Sequence, residues 1–345
     1  MVRVALNVPK LADIPLNVLD LAWRGHGQTN ADAVRGSVAL AGRAEELGYG
    51  RYWFAEHHGM PGVASSAPAV LIGAVAAATS TLRVGSGGVM LPNHAPLVVA
   101  EQFGTLKALY GDRIDLGIGR APGTDGATAL ALRRTQEGLD ASAFPRELQD
   151  LLGFFHGGMA PNNPMSRLLA VPGLGDAPEV WLLGSSGYSA QLAGMLGLPF
   201  AFAHHFAGEG TEQALALYRQ SFEASEFLEK PHSMIAVNVI ADASPEAVRA
   251  EMLPGAITFI RMRQGLKPEP VSVEEALAYP FSPVEQEFIA HRNARQAIGT
   301  PDEVRARLEQ LLAATEVDEL MIQPAGATPA GRAHTLELLA APPVD

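Results

Sequence analysis

The sequence predicts an α/β protein built as a (β/α)₈ TIM barrel. Apolar, strand-like runs recur along its 345 residues with amphipathic helical segments between them, an alternation that produces a parallel sheet with right-handed crossovers. Three of the runs begin at intervals of roughly thirty residues, about the length of one βα unit. Each ends in polar residues or glycines, and the strand ends of such a barrel carry its active site. We therefore expect an enzyme.

Eight candidate strands can be placed, the number that a closed barrel of this kind requires. They are Pro15–Ala22, Arg51–Glu56, Leu82–Val89, Arg113–Ile118, Val180–Leu183, Pro199–Ala203, Met234–Ala241 and Val317–Gln323. Between them, apolar residues recur at three- and four-residue steps, which predicts helices. The clearest of these segments are Ala31–Leu47, Ala67–Ala78, Val98–Tyr110 and Tyr188–Leu196. Gly48 follows the first helix as a C-cap, and Thr300-Pro301-Asp302-Glu303 combines an N-cap threonine, an N1 proline and a capping-box glutamate.

We expect one barrel domain over residues 1–345, with an N-terminal arm at 1–13. Two longer segments interrupt the βα spacing. Residues 157–178 are rich in Gly, Pro and Asn and predict an irregular connection. Residues 249–295 form an insertion between the seventh strand and the last helix before the eighth, and long insertions on the catalytic face are often lids.

The composition excludes several classes of protein. A formal net charge of -12 and the lack of a Lys/Arg-rich run argue against a nucleic-acid partner. The absence of cysteine excludes disulfides, thiolate metal sites and a cysteine nucleophile. No uninterrupted apolar stretch approaches the length of a membrane span, and residues 1–8 lack the features of a signal peptide. We expect a cytoplasmic protein that does not enter the membrane.

The first polar strand end is Glu56-His57-His58. Adjacent side chains of a regular strand point to opposite faces, so the two histidines are poorly placed to chelate one metal ion. A single histidine at a strand end can donate or accept a proton near neutral pH. It can equally fix a loop through hydrogen bonds, and the sequence leaves both interpretations open.

Two further strand ends are rich in glycine. Gly85-Ser86-Gly87-Gly88 presents backbone without side chains, which suits a flat ring lying against the chain; a β-bulge is the structural alternative. The second segment, Gly117 to Gly123, contains Arg120, a fixed cation suited to phosphate. Pro122 stands where the dinucleotide-binding fingerprint needs its third glycine, so a Rossmann fold is rejected.

Leu183-Gly184-Ser185-Ser186-Gly187-Tyr188-Ser189 follows the fifth strand and opens a helix. Hydroxyls beside the N–H groups of a helix N-terminus suit an anion such as phosphate, although a serine that merely caps the helix explains the same residues. The Gly-x-Ser-x-Gly nucleophile elbow is absent because the segment is one residue short. A second histidine pair, His204-His205, keeps open a metal-dependent hydrolase, but no carboxylate ligand can be named and no metal site is expected.

Several of these motifs together resemble the bacterial luciferase-like flavin-dependent monooxygenase family. The resemblance covers most of the chain outside the first residues and the middle of the insertion. It is carried by Tyr52-Trp53-Phe54-Ala55-Glu56-His57-His58, Ser65-Ser66-Ala67-Pro68, Arg83 through His94, Arg113 through Arg120, Trp181 through Ser186 with His205, and Ile298-Gly299-Thr300-Pro301.

The resemblance implies a barrel that binds FMN at the carboxyl ends of its strands. Arg120, Ser185, Ser186 and Ser189 match the flavin phosphate site. Gly87-Gly88 matches a non-proline cis peptide beneath the flavin ring. His57 matches a histidine that manages protons, and Gly119 stands where luciferases have a reactive cysteine.

The implied reaction is oxygenation of a small organic substrate by reduced FMN and O₂ through a flavin C(4a)-hydroperoxide. A separate flavin reductase would supply the reduced FMN, and the resemblance favours a homodimer. One alternative is a deazaflavin-dependent oxidoreductase that transfers hydride on the same barrel. A second is a non-catalytic flavin-binding protein. The organic substrate cannot be read from the sequence, because a fold and a cofactor site do not determine it.

Overall fold

The structure is a computed structural model that describes residues 10–121, 125–133 and 141–340. The chain divides by its internal contacts into two compact units, Leu19–Gly184 and the combination of Met1–Val18 with Ser185–Asp345. The expectation of a single barrel domain stays a prediction. Residues 1–9 of the proposed arm lie outside the described residues, and Leu11–Asp13 form one turn of 3₁₀ helix.

Strands and helices alternate as the βα pattern predicts. The strands of the described residues are β1 (Leu16–Asp20), β2 (Arg51–Phe54), β3 (Arg83–Met90), β4 (Ile114–Gly119), β5 (Glu179–Gly184), β6 (Phe200–Phe202), β7 (Ser233–Ala241), β8 (Ala297–Gly299) and β9 (Glu319–Pro324). The helices are α1 (Asn30–Glu46), α2 (Pro68–Ala78), α3 (Pro96–Tyr110), α4 (Gly126–Arg133), α5 (Phe144–His156), α6 (Gly187–Met195), α7 (His204–Ala207), α8 (Thr211–Gln220), α9 (Pro245–Arg263), α10 (Val273–Ala278), α11 (Pro283–Asn293), α12 (Pro301–Thr315) and α13 (Pro329–Ala340).

All eight predicted strands are present, with ends shifted by a few residues. β8 is an additional strand that the sequence analysis missed, and its three residues pair in parallel with Val239–Ala241 of β7. A segment of this length is too short to show a strand periodicity. The capping box before α12 is confirmed, because Thr300 N–H and Oγ1 donate to Glu303 Oε2 at 2.8 and 2.9 Å.

In the unit Leu19–Gly184, strands β2, β3, β4 and β5 pair in that order, all in parallel. The β3–β4 register shifts between Ser86 and Val89, so the bulge considered for the glycine segment exists. Trp53 and Trp181 are fully buried and pack edge to face with 5.5 Å between ring centroids. Because the strands are parallel and in register, their carboxyl ends lie side by side.

A buried ionic cluster joins the amino ends of the same four strands. Asp115 of β4 is fully buried and accepts from Arg51 Nη1 at 2.8 Å, Arg83 Nε at 3.0 Å and Trp53 Nε1 at 2.9 Å. Glu179, the first residue of β5, accepts from Arg83 Nη2 at 2.7 Å. Burial raises the pKa of Asp115, and the two guanidinium groups oppose that shift.

In the other unit, β9 lies between β1 and β7, while β6 and β8 pair with β7; all of these pairs are parallel. The amino ends of β1 and β9 again carry a polar group. Asn17 Nδ2 donates to Glu319 Oε2 at 2.8 Å, and His232 Nε2 lies 2.8 Å from Glu319 Oε1.

The predicted insertion is helical, and its start at 249 falls inside α9. That helix begins four residues earlier because Ser244 Oγ accepts from Ala247 N at 3.2 Å and Pro245 takes the N1 position. The insertion has a small core of its own. Leu253 and Ile257 of α9 pack there with Val271 and with Ala276 of α10.

The irregular connection predicted for residues 157–178 is confirmed, since turns and bends lead from α5 to β5 there. In the part of the chain that the structure describes, no helix combines the length and apolar character needed to cross a bilayer.

Glu45 predicts a specific acid sensitivity of the fold. Its Oε1 accepts from the N–H groups of Ser80, Thr81 and Leu82 at 2.8, 2.6 and 2.9 Å, which ties α1 to the segment entering β3. Burial acts to raise the pKa of Glu45, but these donors and the Thr81 hydroxyl lower it to about 2. A carboxyl whose folded pKa lies below its unfolded value stabilises the fold above about pH 4.3, and this contribution is lost as the pH falls toward 2.

Glu45→Gln should therefore unfold at lower urea concentration at pH 7 and show a flatter loss of stability between about pH 4.3 and 2. The control is Glu46→Gln, because Glu46 is 68% exposed and pairs with Arg43 on the surface. Equal pH profiles for the two variants would contradict the assignment.

Candidate functional site

The carboxyl ends of β2, β3 and β4 bring together several of the predicted site residues. His57 follows β2, the pair Gly87-Gly88 lies within β3, Gly119 ends β4 and Arg120 follows it. These strands are direct neighbours in the Leu19–Gly184 unit. Pro122 and Gly123 of the second glycine motif lie outside the described residues.

The peptide bond between Gly87 and Gly88 is cis, as the resemblance implied. The protein's own packing requires a glycine at position 88. A Cβ on Gly88 would lie 2.7 Å from the carbonyl oxygen of Gly117, and real Cβ atoms do not approach backbone oxygens this closely. A Cβ on Gly87 would lie 2.8 Å from Leu19 Cδ1, so a side chain there would require the Leu19 side chain to move.

Gly119 is surrounded differently. A Cβ at this position would lie 2.8 Å from the sulfur of Met90, the end of a flexible side chain. Met90 thus takes up the space beside the position that the resemblance equates with a reactive cysteine. A methionine thioether fills irregular space readily but does not act as a thiolate nucleophile.

Glu56 is the centre of a hydrogen-bonded cluster that we call the Glu56 cluster: Glu56, His58, Met90, Asn93 and His94. Glu56 is fully buried. Its Oε1 lies 2.8 Å from His58 Nε2, 2.9 Å from His94 Nε2 and 3.2 Å from Asn93 Nδ2, while its Oε2 accepts from Met90 N at 3.1 Å. The cluster therefore connects the end of β2 to the end of β3 and the turn that follows.

The charge of Glu56 fixes the tautomers of both histidines. Burial acts to raise the pKa of Glu56, but hydrogen bonds from His94, His58 and Asn93 and the charge of His94 hold it below its usual value. An ionised carboxylate only accepts hydrogen bonds, so His58 and His94 must each carry a proton on Nε2. In their neutral forms each then has Nδ1 as a proton acceptor, and the His94 side chain is 27% exposed.

His57 itself is half-buried, and its N–H donates to the carbonyl of Ser65 at 3.2 Å. The expectation that His57 and His58 lie on a regular strand is wrong, because β2 ends at Phe54. His94 was missed as a functional candidate. The signal available was its place at the end of Met90-Leu91-Pro92-Asn93-His94, but nothing local pairs it with a glutamate 38 residues away.

The serine-rich segment of residues 185–189 leads from β5 into α6. Ser186 is the N-cap residue of α6 with φ -151° and ψ 165°, and its side chain makes no capping hydrogen bond. Ser185 and Ser186 are exposed, and Ser189 in the first turn is buried. The N–H groups of this turn and the uncommitted hydroxyl of Ser186 can therefore serve an anion.

His204 and His205 have structural partners. His204 Nδ1 lies 2.8 Å from Thr211 Oγ1 and its Nε2 lies 2.9 Å from the carbonyl of Arg295; burial lowers its pKa. His205 Nδ1 donates to the carbonyl of Ala236 at 3.2 Å. Within the described ranges, no three His, Asp or Glu side chains are grouped so that they could hold a metal ion.

Most of the chain is similar in sequence to known proteins. The family model described as luciferase-like monooxygenase matches residues 18–319. A luciferase-like monooxygenase of Escherichia coli K12 is 45% identical over 328 residues, which cover 94% of this chain and 96% of the relative. The N-acetyl-S-alkylcysteine monooxygenase of Bacillus subtilis is 34% identical over 316 residues, with 90% and 92% covered.

Solved structures agree with these relatives. Apo-MsnO8 has a TM-score of 0.85 at 34% identity, with 95% of this chain and 96% of that one covered, and this similarity confirms the (β/α)₈ barrel class. The oxygenating constituent of 3,6-diketocamphane monooxygenase of Pseudomonas putida, in complex with FMN, has a TM-score of 0.69 at 20% identity, covering 95% and 96%. An F420-dependent secondary alcohol dehydrogenase has a TM-score of 0.63 at 14% identity, covering 94% of this chain and 98% of that one. At such low identities the last two show the fold alone.

Glu56→Gln should disrupt the Glu56 cluster. A glutamine offers one oxygen and an NH₂ donor where the carboxylate offers two oxygens. Its NH₂ must therefore face either the histidine Nε2–H groups at Oε1 or the Met90 N–H at Oε2, and the donors on that side lose their acceptor. We expect a loss of about 1–3 kcal/mol in the free energy of unfolding. Imidazole ¹⁵N chemical shifts should report Nε2–H on His58 and His94 in the wild type and a changed pattern in the variant. The shifts of His156, on α5, serve as the control; wild-type shifts that place the proton of neutral His58 or His94 on Nδ1 would refute the tautomer assignment.

Proposed function

Because this chain belongs to the luciferase-like monooxygenase family, we propose that it uses reduced FMN and O₂ to oxygenate a small organic substrate. Reduced FMN would supply the electrons that activate O₂, a chemistry that side chains do not provide. The observation that best supports the proposal is the side-chain-free backbone of Gly87 and Gly88 on β3, the strand that pairs with the one leading to His57 and the Glu56 cluster. Backbone without side chains and polarised histidines suit a flat, redox-active ring.

We assign separate donors to the two ends of FMN as part of this proposal. For the phosphate we propose Ser185, Ser186 and Ser189 with the N–H groups of α6, and Arg120 as a cationic ligand. The uncapped first turn of α6 supports this assignment, since an anion there satisfies N–H groups that the Ser186 side chain leaves without a bond. For the ring we propose Gly87, Gly88 and Gly119.

We propose His57 as the catalytic acid or base. It lies at the strand end beside Glu56, and a histidine can hold or release a proton at the pH of the reaction. The protein must also keep water away from the reacting atoms, because an enclosed site prevents side reactions with solvent. For this role we propose the insertion 249–295, in which α9 and α10 share a small apolar core.

The remaining partners belong to the same proposal. A separate flavin reductase would deliver reduced FMN, and the protein would act as a cytoplasmic homodimer. A relative named for N-acetyl-S-alkylcysteine makes thioethers the first substrates to screen.

The deazaflavin-dependent hydride-transfer alternative has support in the F420-dependent neighbour of the same fold. The non-catalytic alternative predicts flavin binding without any substrate oxidation.

Anaerobic titration with reduced FMN followed by mixing with oxygenated buffer tests the proposed function. Saturable binding, and an absorption change after mixing that differs from that of free reduced FMN, would support a monooxygenase. No FMN binding together with F420 binding would favour hydride transfer.

Ser186→Asp tests the phosphate ligands within the same titration. A carboxylate there repels the FMN phosphate, so we expect the Kd for FMN to rise at least about tenfold, equivalent to about 1.4 kcal/mol. Riboflavin lacks the phosphate and is the matched control ligand, whose Kd should change little. Equal weakening for both ligands would contradict the assignment.

His57→Ala tests the catalytic role. Loss of a general acid or base lowers a rate by about 10²-fold or more, whereas the flavin contacts proposed above do not include the imidazole. We expect the turnover of a thioether that the wild-type protein oxidises to fall by that factor, while the Kd for reduced FMN stays nearly constant. His334→Ala on α13 is the control, and unchanged turnover in His57→Ala would remove His57 from the mechanism.

A further inference from the structure

Two buried amide side chains lie side by side on the neighbouring strands β7 and β9. Asn238 and Gln323 are direct partners in the parallel register, and each is only 5% exposed. Strand alternation places them on the same face of the two strands as Met321 and Glu319. Gln323 is the last residue before Pro324 ends β9, so the pair lies toward the carboxyl ends, the side of a (β/α)₈ barrel that binds ligands.

Neither amide oxygen has a hydrogen-bond partner among the described residues. An unmade hydrogen bond at a buried polar atom costs about 1–3 kcal/mol, so such atoms in native proteins usually have a reason. A third buried amide, that of Gln296, differs because its oxygen and its nitrogen both have hydrogen-bond partners. Gln296 is 6% exposed, but its Oε1 accepts from Asn238 N at 3.2 Å and its Nε2 donates to the carbonyl of His205 at 3.2 Å.

Another buried amide lies at the amino end of the same strands. Asn17 Nδ2 donates to Glu319 Oε2 at 2.8 Å, but Asn17 Oδ1 likewise has no partner among the described residues. Asn238 and Gln323 differ from it because they are register partners toward the carboxyl ends, the side expected to meet a ligand.

We propose that Asn238 and Gln323 recognise the substrate by hydrogen bonds, and that this substrate carries a secondary amide. Each carboxamide can accept through its oxygen and donate through its nitrogen, and rotation about its last side-chain bond exchanges the two. A pair of them therefore matches a group that presents one N–H donor beside one carbonyl acceptor. An ester or a ketone of the same shape lacks the N–H and leaves an acceptor unpaired.

The identity of the pair as a substrate site rests on the proposed function, but its ligand preference can be measured without turnover. Calorimetric titration of the full chain with N-hexylacetamide and with hexyl acetate compares two probes of equal shape that differ in the N–H group. We expect the amide to bind at least about tenfold more tightly, because a site built to hydrogen-bond a group rejects the analogue that lacks it. Equal affinities, or no binding of the amide, would overturn the proposal.

Gln323→Met and Gln296→Met form a matched pair of variants. Gln323→Met removes an unpaired amide, so Tm should stay equal or rise while the preference for the amide probe is lost. Gln296→Met removes an amide with two protein partners, so Tm should fall while the preference remains. If Gln323→Met lowers Tm as Gln296→Met does, or keeps the preference, the amide of Gln323 is structural and the proposal is wrong. The reduced-FMN titration is run on the same samples, so failure of cofactor binding is read separately from failure of amide recognition.

Discussion

The carboxylate of Asp115 organises the amino ends of four parallel strands. It has no exposure to solvent, and Arg51, Arg83 and Trp53 all direct donors to it. Charges taken out of water are tolerated only where partners are placed accurately, and removing one partner is far more costly than never burying the pair. The cluster therefore specifies one register for β2 to β5 more than it adds stability. Gly85 belongs to the same constraint, because a Cβ there would lie 2.6 Å from Asp115 Cβ.

A defined register at one end of parallel strands determines what meets at the other end. His57, the cis Gly87-Gly88 peptide and Gly119 lie at the carboxyl ends of the strands that Asp115 and its partners align. The Glu56 cluster then ties the end of β2 to the end of β3 through side chains and one backbone N–H. The strands that carry the site are thus held by one buried carboxylate at their amino ends, Asp115, and by another at their carboxyl ends, Glu56. Nε2 of His58 and Nε2 of His94 are both committed to Glu56.

Much of the fold and of the candidate site could be predicted from the sequence. Strand positions follow from short apolar runs, and helix starts such as Thr300-Pro301-Asp302-Glu303 depend on neighbours within one turn. The cis Gly87-Gly88 peptide was expected because the surrounding motif resembles that of a known family. The short β8 and the start of α9 at Pro245 were not predicted, the first because three residues show no periodicity and the second because its serine cap was overlooked.

The sequence by itself determined the fold class, the family and the residue types at the strand ends, because these depend on periodicity, capping and contiguous motifs. Only the tertiary structure decided that His94 shares a carboxylate with His58. It also decided that the Gln296 side chain is paired, whereas the amide oxygens of Asn238 and Gln323 have no partner among the described residues. The partners in these cases are separated by tens of residues in the chain. Whether a buried amide or imidazole is structural or available depends on the atoms that surround it, and strand pairing brings those atoms together from distant positions.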